Sequence, residues 1–258
     1  MSRSKFRVWF EDVLRPLTGR RTQWPQLLRT LIRDEFNRIR EVGRPYAGPA
    51  IFIDRDETAR DYANRPDQHR EDLSVYRLFA AVREHAELSG RLFINNEPIW
   101  LVTCKVPNQG RHRSRAADLL GIRHDGSLVV FECKVASNRN DTPLVALFEG
   151  LDYLSHLLID ENFDRLCEGF AAWRSSHVNP EGFAEVQPSL NANHSVMVLA
   201  PLTYYEVHRV DARGIEQDWE FLSDRYWPDN PISVRLDFVV CDYEAEPCEL
   251  LPLKEASA

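Results

Sequence analysis

The sequence predicts an α/β protein in which a central mixed β-sheet is flanked by helices. Three observations predict this class: short apolar strand-like runs, helical patterns between them, and an Asp-Gly turn signal that joins two of the runs. A chain of 258 residues is long enough to bury a sizeable core. We expect an N-terminal helical extension over residues 1–60 and a main domain over residues 61–258.

Helical patterns come first along the chain. We expect helices over residues 5–15 and 25–42, then a linker or irregular crossing over residues 45–70, which are rich in Asp, Arg and Pro. Another helical pattern begins at Glu71 and continues to Glu84.

The strands of the predicted sheet follow that helix. Strand-like runs lie near residues 92–95, 99–106, 115–123 and 128–135. A helix is predicted over residues 143–159, because Thr142 is a suitable N-cap, Pro143 suits the first helical position, and leucines recur at helical spacing. Beyond it, the sequence predicts a helix over residues 163–174 and strands over residues 194–200 and 233–241.

The turn between the last two of the four runs decides where Asp118 points. A two-residue loop would pair Asp118 with Cys133 and would place Asp118 on the face opposite Glu132. A three-residue loop with Gly126 in the left-handed region pairs Asp118 with Glu132, and we expect this loop. Two carboxylates directly across a ladder repel each other, so the arrangement indicates a site for a divalent cation.

Glu132 and Lys134 interrupt the most apolar of these runs. Side chains alternate along a strand, so both point to the same face of a segment that otherwise has the pattern of buried core. Desolvating two opposite charges is unfavourable unless the site uses them. The chain has 28 arginines and only four lysines, so a lysine here indicates a compact, titratable ammonium with a chemical role.

An Asp followed across a hairpin by Glu-x-Lys, and then by a helix, resembles the PD-(D/E)xK nuclease superfamily over roughly residues 70–200. The resemblance implies a restriction-endonuclease-like αβββαβ core. It also implies that Asp118, Glu132 and the Cys133 carbonyl ligate Mg²⁺, with Mn²⁺ as a substitute. Lys134 would orient or activate the attacking water.

The sequence departs from the family pattern at two positions. Ala117 precedes the Asp where many members have Pro, and Glu149 stands where members often carry a Gln four residues before a Tyr, here Tyr153. Glu149 is kept as a site residue, although the polar face of an ordinary amphipathic helix is an alternative. An upstream helix usually adds a further Glu in this family, for which Glu71 is preferred over Glu84.

Charge is distributed unevenly along the chain. The formal net charge is −8, whereas residues 1–44 carry +6, residues 101–140 carry +4 and residues 211–258 carry −8. Within the second basic segment, Arg111, Arg113 and Arg115 form a short loop that enters the Asp118 strand. Guanidinium groups suit phosphate, so we expect this loop to bind a nucleic acid backbone, although an ordinary solvated loop remains the alternative.

Other classes are less well supported. No run of 18 apolar residues and no signal-peptide pattern occurs, so we expect a cytoplasmic protein with no membrane association. The five scattered cysteines favour reduced thiols. A D-x-D-x-T motif at Asp54, Asp56 and Thr58 is typical of haloacid-dehalogenase-like phosphatases, but its strand is short and no convincing partner motif follows.

The sequence therefore predicts a Mg²⁺-dependent nuclease, with DNA as the expected substrate. The alternative is a nucleic-acid-binding or regulatory module that keeps the fold and has little or no cleavage activity. A homodimer is left open as an assembly.

Overall fold

The computed structural model describes residues 33–41, 70–84, 90–107, 116–176, 186–210, 234–243 and 250–253. The helices are α1 (33–41), α2 (Arg70–Glu84), α3 (Pro143–Leu157), α4 (Asp160–Ser176) and α5 (Leu202–Val210). The strands are β1 (Arg91–Ile94), β2 (Glu97–Pro107), β3 (Ala116–Ile122), β4 (Leu128–Cys133), β5 (Ser195–Ala200), β6 (Arg235–Cys241) and β7 (Leu250–Pro252).

The described strands form one mixed seven-stranded sheet in the spatial order β1 to β7. Strands β1 to β4 are successively antiparallel, β4, β5 and β6 are parallel, and β7 returns antiparallel to β6. The two edge strands, β1 and β7, also contact each other, so the sheet curves until it is nearly barrel-shaped. The expectation of an α/β protein with a mixed sheet and flanking helices is confirmed.

Helices cover both faces of the sheet. Neighbouring residues of β4 alternate between two buried clusters, as strand geometry requires: Val129 joins the cluster that contains α2, and Val130 joins the one that contains α3. Helix α2 contacts β1 to β4, whereas α3 contacts β3, β4 and β5. Phe36 and Ile39 of α1 are buried in the α3 cluster, so this part of the predicted N-terminal extension packs into the main core.

The hairpin of β3 and β4 has the predicted three-residue loop. The N–H of Arg123 donates to the carbonyl of Ser127 at 2.9 Å, and Gly126 has a φ of +81°. A Cβ at Gly126 would also lie 2.2 Å from the carbonyl oxygen of Gln187, so glycine is required for space as well as for conformation. The hairpin register on which the carboxylate pairing depends is therefore confirmed.

The finer expectation, an αβββαβ core, is not reproduced element by element. Four strands, not three, lie between α2 and α3, and two helices, α3 and α4, lie between β4 and β5 where one was expected. Helix α5 and strand β7 were not predicted. The predicted helix over residues 5–15, the boundary at residue 60 and all but the last residue of the predicted linker over residues 45–70 lie outside the described residues; Arg70 begins α2.

Candidate active site

The hairpin of β3 and β4 brings two carboxylates to one face of the sheet. Its register, carried one step beyond the pair of Leu119 and Phe131, places Asp118 opposite Glu132. The Oδ2 atom of Asp118 accepts the backbone N–H of Cys133 at 2.8 Å, which fixes one oxygen of this carboxylate. Both carboxylates are almost fully buried. The turn length thus produces the close pair that the sequence predicted.

The Lys134 ammonium lies among three carboxylates from three different elements. Its Nζ is 3.6 Å from Glu132 Oε2, 3.3 Å from Glu149 Oε2 and 3.4 Å from Glu71 Oε1. The lysine side chain is only 4% exposed. Of the two candidates on α2, Glu71 therefore lies at the cluster, whereas Glu84 is exposed at the other end of the helix.

The N-terminal cap of α3 and the close packing of this helix on β5 determine where Glu149 lies. Thr142 caps α3 by accepting a backbone N–H of the first turn at 3.3 Å, and a proline follows at the first helical position, as predicted. Gly150 approaches β5 so closely that a Cβ there would lie 2.3 Å from Val196 Cγ1. The helix backbone therefore lies directly against the sheet, with Glu149 and Tyr153 beside the hairpin carboxylates.

A second lysine and a further carboxylate complete the cluster, and the sequence did not single them out as site residues. The Nζ atom of Lys105 is 2.5 Å from Asp118 Oδ1 and 2.5 Å from Asp72 Oδ1. A signal for Lys105 existed, because the rarity of lysine that drew attention to Lys134 applies equally to it.

Asn138, in the loop after β4, connects that loop to α2. Its Nδ2 donates to Glu71 Oε2 at 3.1 Å, and its Oδ1 accepts the backbone N–H groups of Asn140 and Asp141, both at 3.1 Å. The backbone carbonyl of Asn138 is in turn 3.2 Å from His208 Nε2 on α5. Nothing in the sequence pattern pointed to Asn138, because its role depends on contacts between distant segments.

Burial and mutual repulsion set the protonation of the cluster. Burial raises the pKa of Glu132 well above its ordinary value, and the charge of Asp118 raises it further. Burial also raises the pKa of Glu71. The pKa of Tyr153 is raised by burial and, next, by the negative charge of Glu132. Burial by itself would lower the pKa of Lys134, but the surrounding carboxylates outweigh it, so this pKa is raised and the side chain stays an ammonium.

Negative charge exceeds positive charge in this part of the described structure. The cluster contains five carboxylates and two ammonium groups, so its formal charge is −3 when all are ionised; the residues are Glu71, Asp72, Asp118, Glu132, Glu149, Lys105 and Lys134. The Oε1 atom of Glu132 is buried and has no hydrogen-bond partner. A bound cation would offset the excess negative charge and would give the buried oxygen a partner.

The donor chemistry fits Mg²⁺, although the ligands are not arranged around an ion. No three His, Cys, Asp or Glu side chains of the described residues are grouped so that they could hold a metal ion. The two ammonium groups stand among the carboxylates instead. Carboxylate oxygens and a backbone carbonyl are nonetheless the donors that Mg²⁺ prefers, and Asp118, Glu132 and Cys133 offer both kinds at adjacent positions.

Two sequence predictions cannot be located in the structure. Arg111, Arg113 and Arg115 lie outside the described residues, and so does the D-x-D-x-T motif. Within the ranges that are described, no helix is both long and apolar enough to cross a membrane.

Fold and site together define an α/β protein with a carboxylate–lysine cluster where α2 and α3 meet the β3–β4 hairpin. Comparison of the chain with protein-family models, with curated proteins and with solved structures finds no significant match in any of the three.

Proposed function

We propose that this chain is a Mg²⁺-dependent nuclease that hydrolyses phosphodiester bonds in DNA, on an elaborated restriction-endonuclease-like core. One observation carries the proposal: Asp118, Glu132 and Lys134 converge on one face of a hairpin whose register was predicted independently from its turn. Two further carboxylates, Glu71 and Glu149, come from the helices on either side of that hairpin.

In this proposal Asp118, Glu132 and the Cys133 carbonyl would hold the ion. The N–H and C=O of one strand residue point to the same neighbouring strand, so the Cys133 carbonyl points toward the side on which its N–H binds Asp118. Mg²⁺ bound there would polarise a phosphate oxygen and acidify its coordinated water. The unpartnered Oε1 of Glu132 supports this assignment, because a cation would satisfy it.

Lys134 acts by position and charge. Burial by itself would lower its pKa, but the surrounding carboxylates raise it in the metal-free protein, so the side chain is there an ammonium that donates hydrogen bonds. Glu71 and Glu149 contact Nζ from opposite helices and restrict the directions that this ammonium can take. An ammonium held in this way orients the attacking water and offsets the negative charge that develops on the phosphate.

The first test is a substrate survey. The full chain is incubated with supercoiled plasmid, linear duplex DNA, single-stranded DNA and RNA, each with Mg²⁺, Mn²⁺ or EDTA. Cleavage of DNA that needs the metal and stops with EDTA is the expected result. A protein that leaves every one of these nucleic acids intact contradicts the proposal.

Variants then separate the roles. Asp118→Ala or Glu132→Ala is expected to abolish cleavage and weaken Mg²⁺ binding. Lys134→Ala is expected to retain metal binding and lose roughly 10²–10⁴-fold in turnover, and Lys134→Arg is not expected to restore it. Glu71→Ala should impair cleavage, whereas Glu84→Ala, on the exposed end of the same helix, is the matched control. Wild-type turnover by the Lys134→Ala protein would remove this residue from the mechanism.

One observation favours the alternative, a nucleic-acid-binding or regulatory module with little or no cleavage. Lys105 and Lys134 already neutralise part of the carboxylate cluster, as the cations of a structural ion-pair network do. Under that alternative, DNA binding persists with EDTA present, and replacing Asp118 leaves binding unchanged. The substrate survey therefore distinguishes the two functions, because only the nuclease cleaves DNA when the metal is added.

A further inference from the structure

Lys105 is the second lysine of the site; its side chain is mostly buried, and two carboxylates share its ammonium. Strand pairing of Cys104 with Leu119 and of Val106 with Ala117 places Lys105 directly across from Asp118. Its Nζ is 2.5 Å from Asp118 Oδ1 and 2.5 Å from Asp72 Oδ1.

The backbone at Lys105 is held in an unfavourable conformation. Its φ is +52°, in the left-handed region that a lysine rarely adopts. The strand that carries it, β2, shifts register against β3 between Leu101 and Thr103. Strain of this kind persists only where the surrounding structure imposes it, and it concentrates at functional positions. Here the residue with the strained backbone places its ammonium against Asp118, a proposed ligand of the ion.

The two oxygens of Asp118 are held differently. Oδ2 accepts the backbone N–H of Cys133, whereas Oδ1 is held only by the ammonium of the Lys105 side chain among the contacts described. A divalent cation that uses Asp118 must therefore compete with this ammonium at Oδ1 or lie close to it. Positive charges at such a distance repel each other strongly in a partly buried site.

Asp72 provides a second place for the displaced ammonium. Its side chain is 47% exposed, whereas that of Asp118 is 6% exposed, and it already contacts Lys105. The lysine can therefore release Asp118 and keep an ion pair without moving to a new partner. Opening the bridge at its buried end becomes favourable only when the cation replaces the ammonium at Asp118, and the ammonium then keeps a half-exposed partner in Asp72.

We propose that Lys105 is a positioning residue that occupies Asp118 Oδ1 in the metal-free protein and yields this oxygen to the divalent cation while it keeps Asp72. The inference rests on the proposed function, in which Asp118 is a ligand of the ion. Lys105 thereby lowers the intrinsic affinity of the site for the cation and keeps the aspartate oriented until the cation arrives.

The test is the affinity of the full chain for Mn²⁺, measured by titration calorimetry without nucleic acid. Lys105→Met is expected to bind Mn²⁺ roughly tenfold more tightly than wild type, because it frees Oδ1 and removes a nearby positive charge. Lys105→Gln provides a second uncharged variant if the Met variant does not fold. Lys105→Arg keeps a cation on Asp118 and should bind no more tightly than wild type. Arg77→Met, on the exposed face of α2, removes one positive charge elsewhere and is the matched control.

Asp72→Asn separates the exchange from simple charge. If Asp72 receives the ammonium, its loss should weaken Mn²⁺ binding several-fold in wild type and much less in the Lys105→Met background, where there is no ammonium to receive. Simple removal of a negative charge weakens binding equally in both backgrounds, and that outcome would overturn the proposal. So would a Lys105→Met protein that binds Mn²⁺ no more tightly than wild type.

The outcomes also distinguish this inference from the nuclease proposal. Tighter Mn²⁺ binding by Lys105→Met, in a protein that cleaves no nucleic acid, supports the role of Lys105 and contradicts the nuclease. Metal-dependent cleavage by wild type, with unchanged Mn²⁺ affinity in Lys105→Met, supports the nuclease and overturns the role of Lys105.

Discussion

The environment of Glu132 in the folded protein disfavours the ionised form of this carboxylate. It is buried, its Oε1 lacks a hydrogen-bond partner, and burial together with Asp118 raises its pKa above the ordinary 4.5. In the unfolded chain the group ionises near its ordinary pKa. The stability that it contributes is therefore present below that pH and is lost as the pH rises through the folded-state pKa.

We expect Glu132→Gln to be more stable than wild type in the metal-free state at pH 8, by roughly 1–3 kcal/mol, the usual penalty for an unsatisfied buried polar group. The difference should shrink as the pH falls toward 4.5. Urea unfolding in EDTA at several pH values measures it. Glu84→Gln, at an exposed position, should show neither effect. A Glu132→Gln protein less stable than wild type at pH 8 would mean that its ion pair with Lys134 outweighs the burial penalty.

His194 should give a pH dependence of the opposite sign. Its Nδ1 accepts the N–H of Leu128 at 3.1 Å, so the ring is neutral, and burial lowers its pKa below 6.5. Stability should therefore fall as the pH drops below 6.5 toward the folded-state pKa, because the unfolded chain takes up the proton first. Loss of this hydrogen bond corresponds to roughly 1 kcal/mol.

Replacing His194 checks that assignment. The His194→Gln variant should lose much of the fall in stability between pH 8 and pH 5.5, as followed by urea unfolding. His124→Gln, at an exposed position of the hairpin loop, should leave the wild-type dependence intact. An unchanged pH dependence in His194→Gln would assign it to other groups.

The two lysines of the site differ in how far the sequence predicts them. Lys134 was predictable because a charged residue in an apolar strand pattern conflicts with burial unless the site uses it. Lys105 follows a similar pattern, but its contact with Asp118 depends on a left-handed φ and on a register shift in β2. Both features arise from how distant segments fit together, and neither has a local signature in the sequence.

At the scale of elements, the approach of α3 to the sheet determines the site's geometry. A methyl group at Gly150 would lie 2.3 Å from Val196 Cγ1, so Gly150→Ala must push the helix outward or displace that valine. We expect a loss of about 1–3 kcal/mol in unfolding free energy. Mn²⁺ affinity should fall as well, because the displaced helix would carry the Glu149 carboxylate away from the ligands and reduce the negative charge around the ion.

Two further variants test the cause of that loss. Adding Val196→Ala should recover part of the stability, since it removes the methyl group that meets the new side chain. Gly169→Ala, inside α4, lies away from this contact, and helix propensity alone predicts a gain of about 0.5–1 kcal/mol there. Equal effects of the two glycine substitutions would show that close packing at Gly150 is not the cause.

Elements with strong local signals were predictable, and weaker ones were not. The hairpin followed from a glycine that only one loop length accommodates, and α3 followed from its capping threonine and proline. Helix α5 has only nine residues and β7 only three, which is too short for a periodic pattern to stand out. Helix α5 is held by Tyr205, whose hydroxyl contacts backbone carbonyls of β5 and β6, and β7 pairs with β6. The local sequence does not encode these contacts.

At the scale of the whole molecule, strand order and curvature could not be predicted. The antiparallel pair of β3 and β4 was expected from its turn, but the near-barrel contact of β1 with β7 joins residues more than 150 positions apart. The start of α2 also reaches the hairpin, where Glu71 and Asp72 contact the two lysines, and this long-range contact has no local signature in the sequence. The position of the site was therefore more predictable than its full membership.

A chain of formal charge −8 repels nucleic acid unless a local basic surface binds it. Arg111, Arg113 and Arg115 precede the strand that carries Asp118 and belong to a segment of charge +4. Alanine at all three should weaken DNA binding for every sequence tried. It should also reduce the slope of log affinity against log salt by about one per lost phosphate contact. Fluorescence anisotropy in EDTA, from low to moderate salt, measures binding without cleavage. Arg77→Ala, on the exposed face of α2, controls for lost charge alone. If the triple variant keeps the wild-type affinity and slope, this loop is ordinary solvated surface and DNA must bind elsewhere.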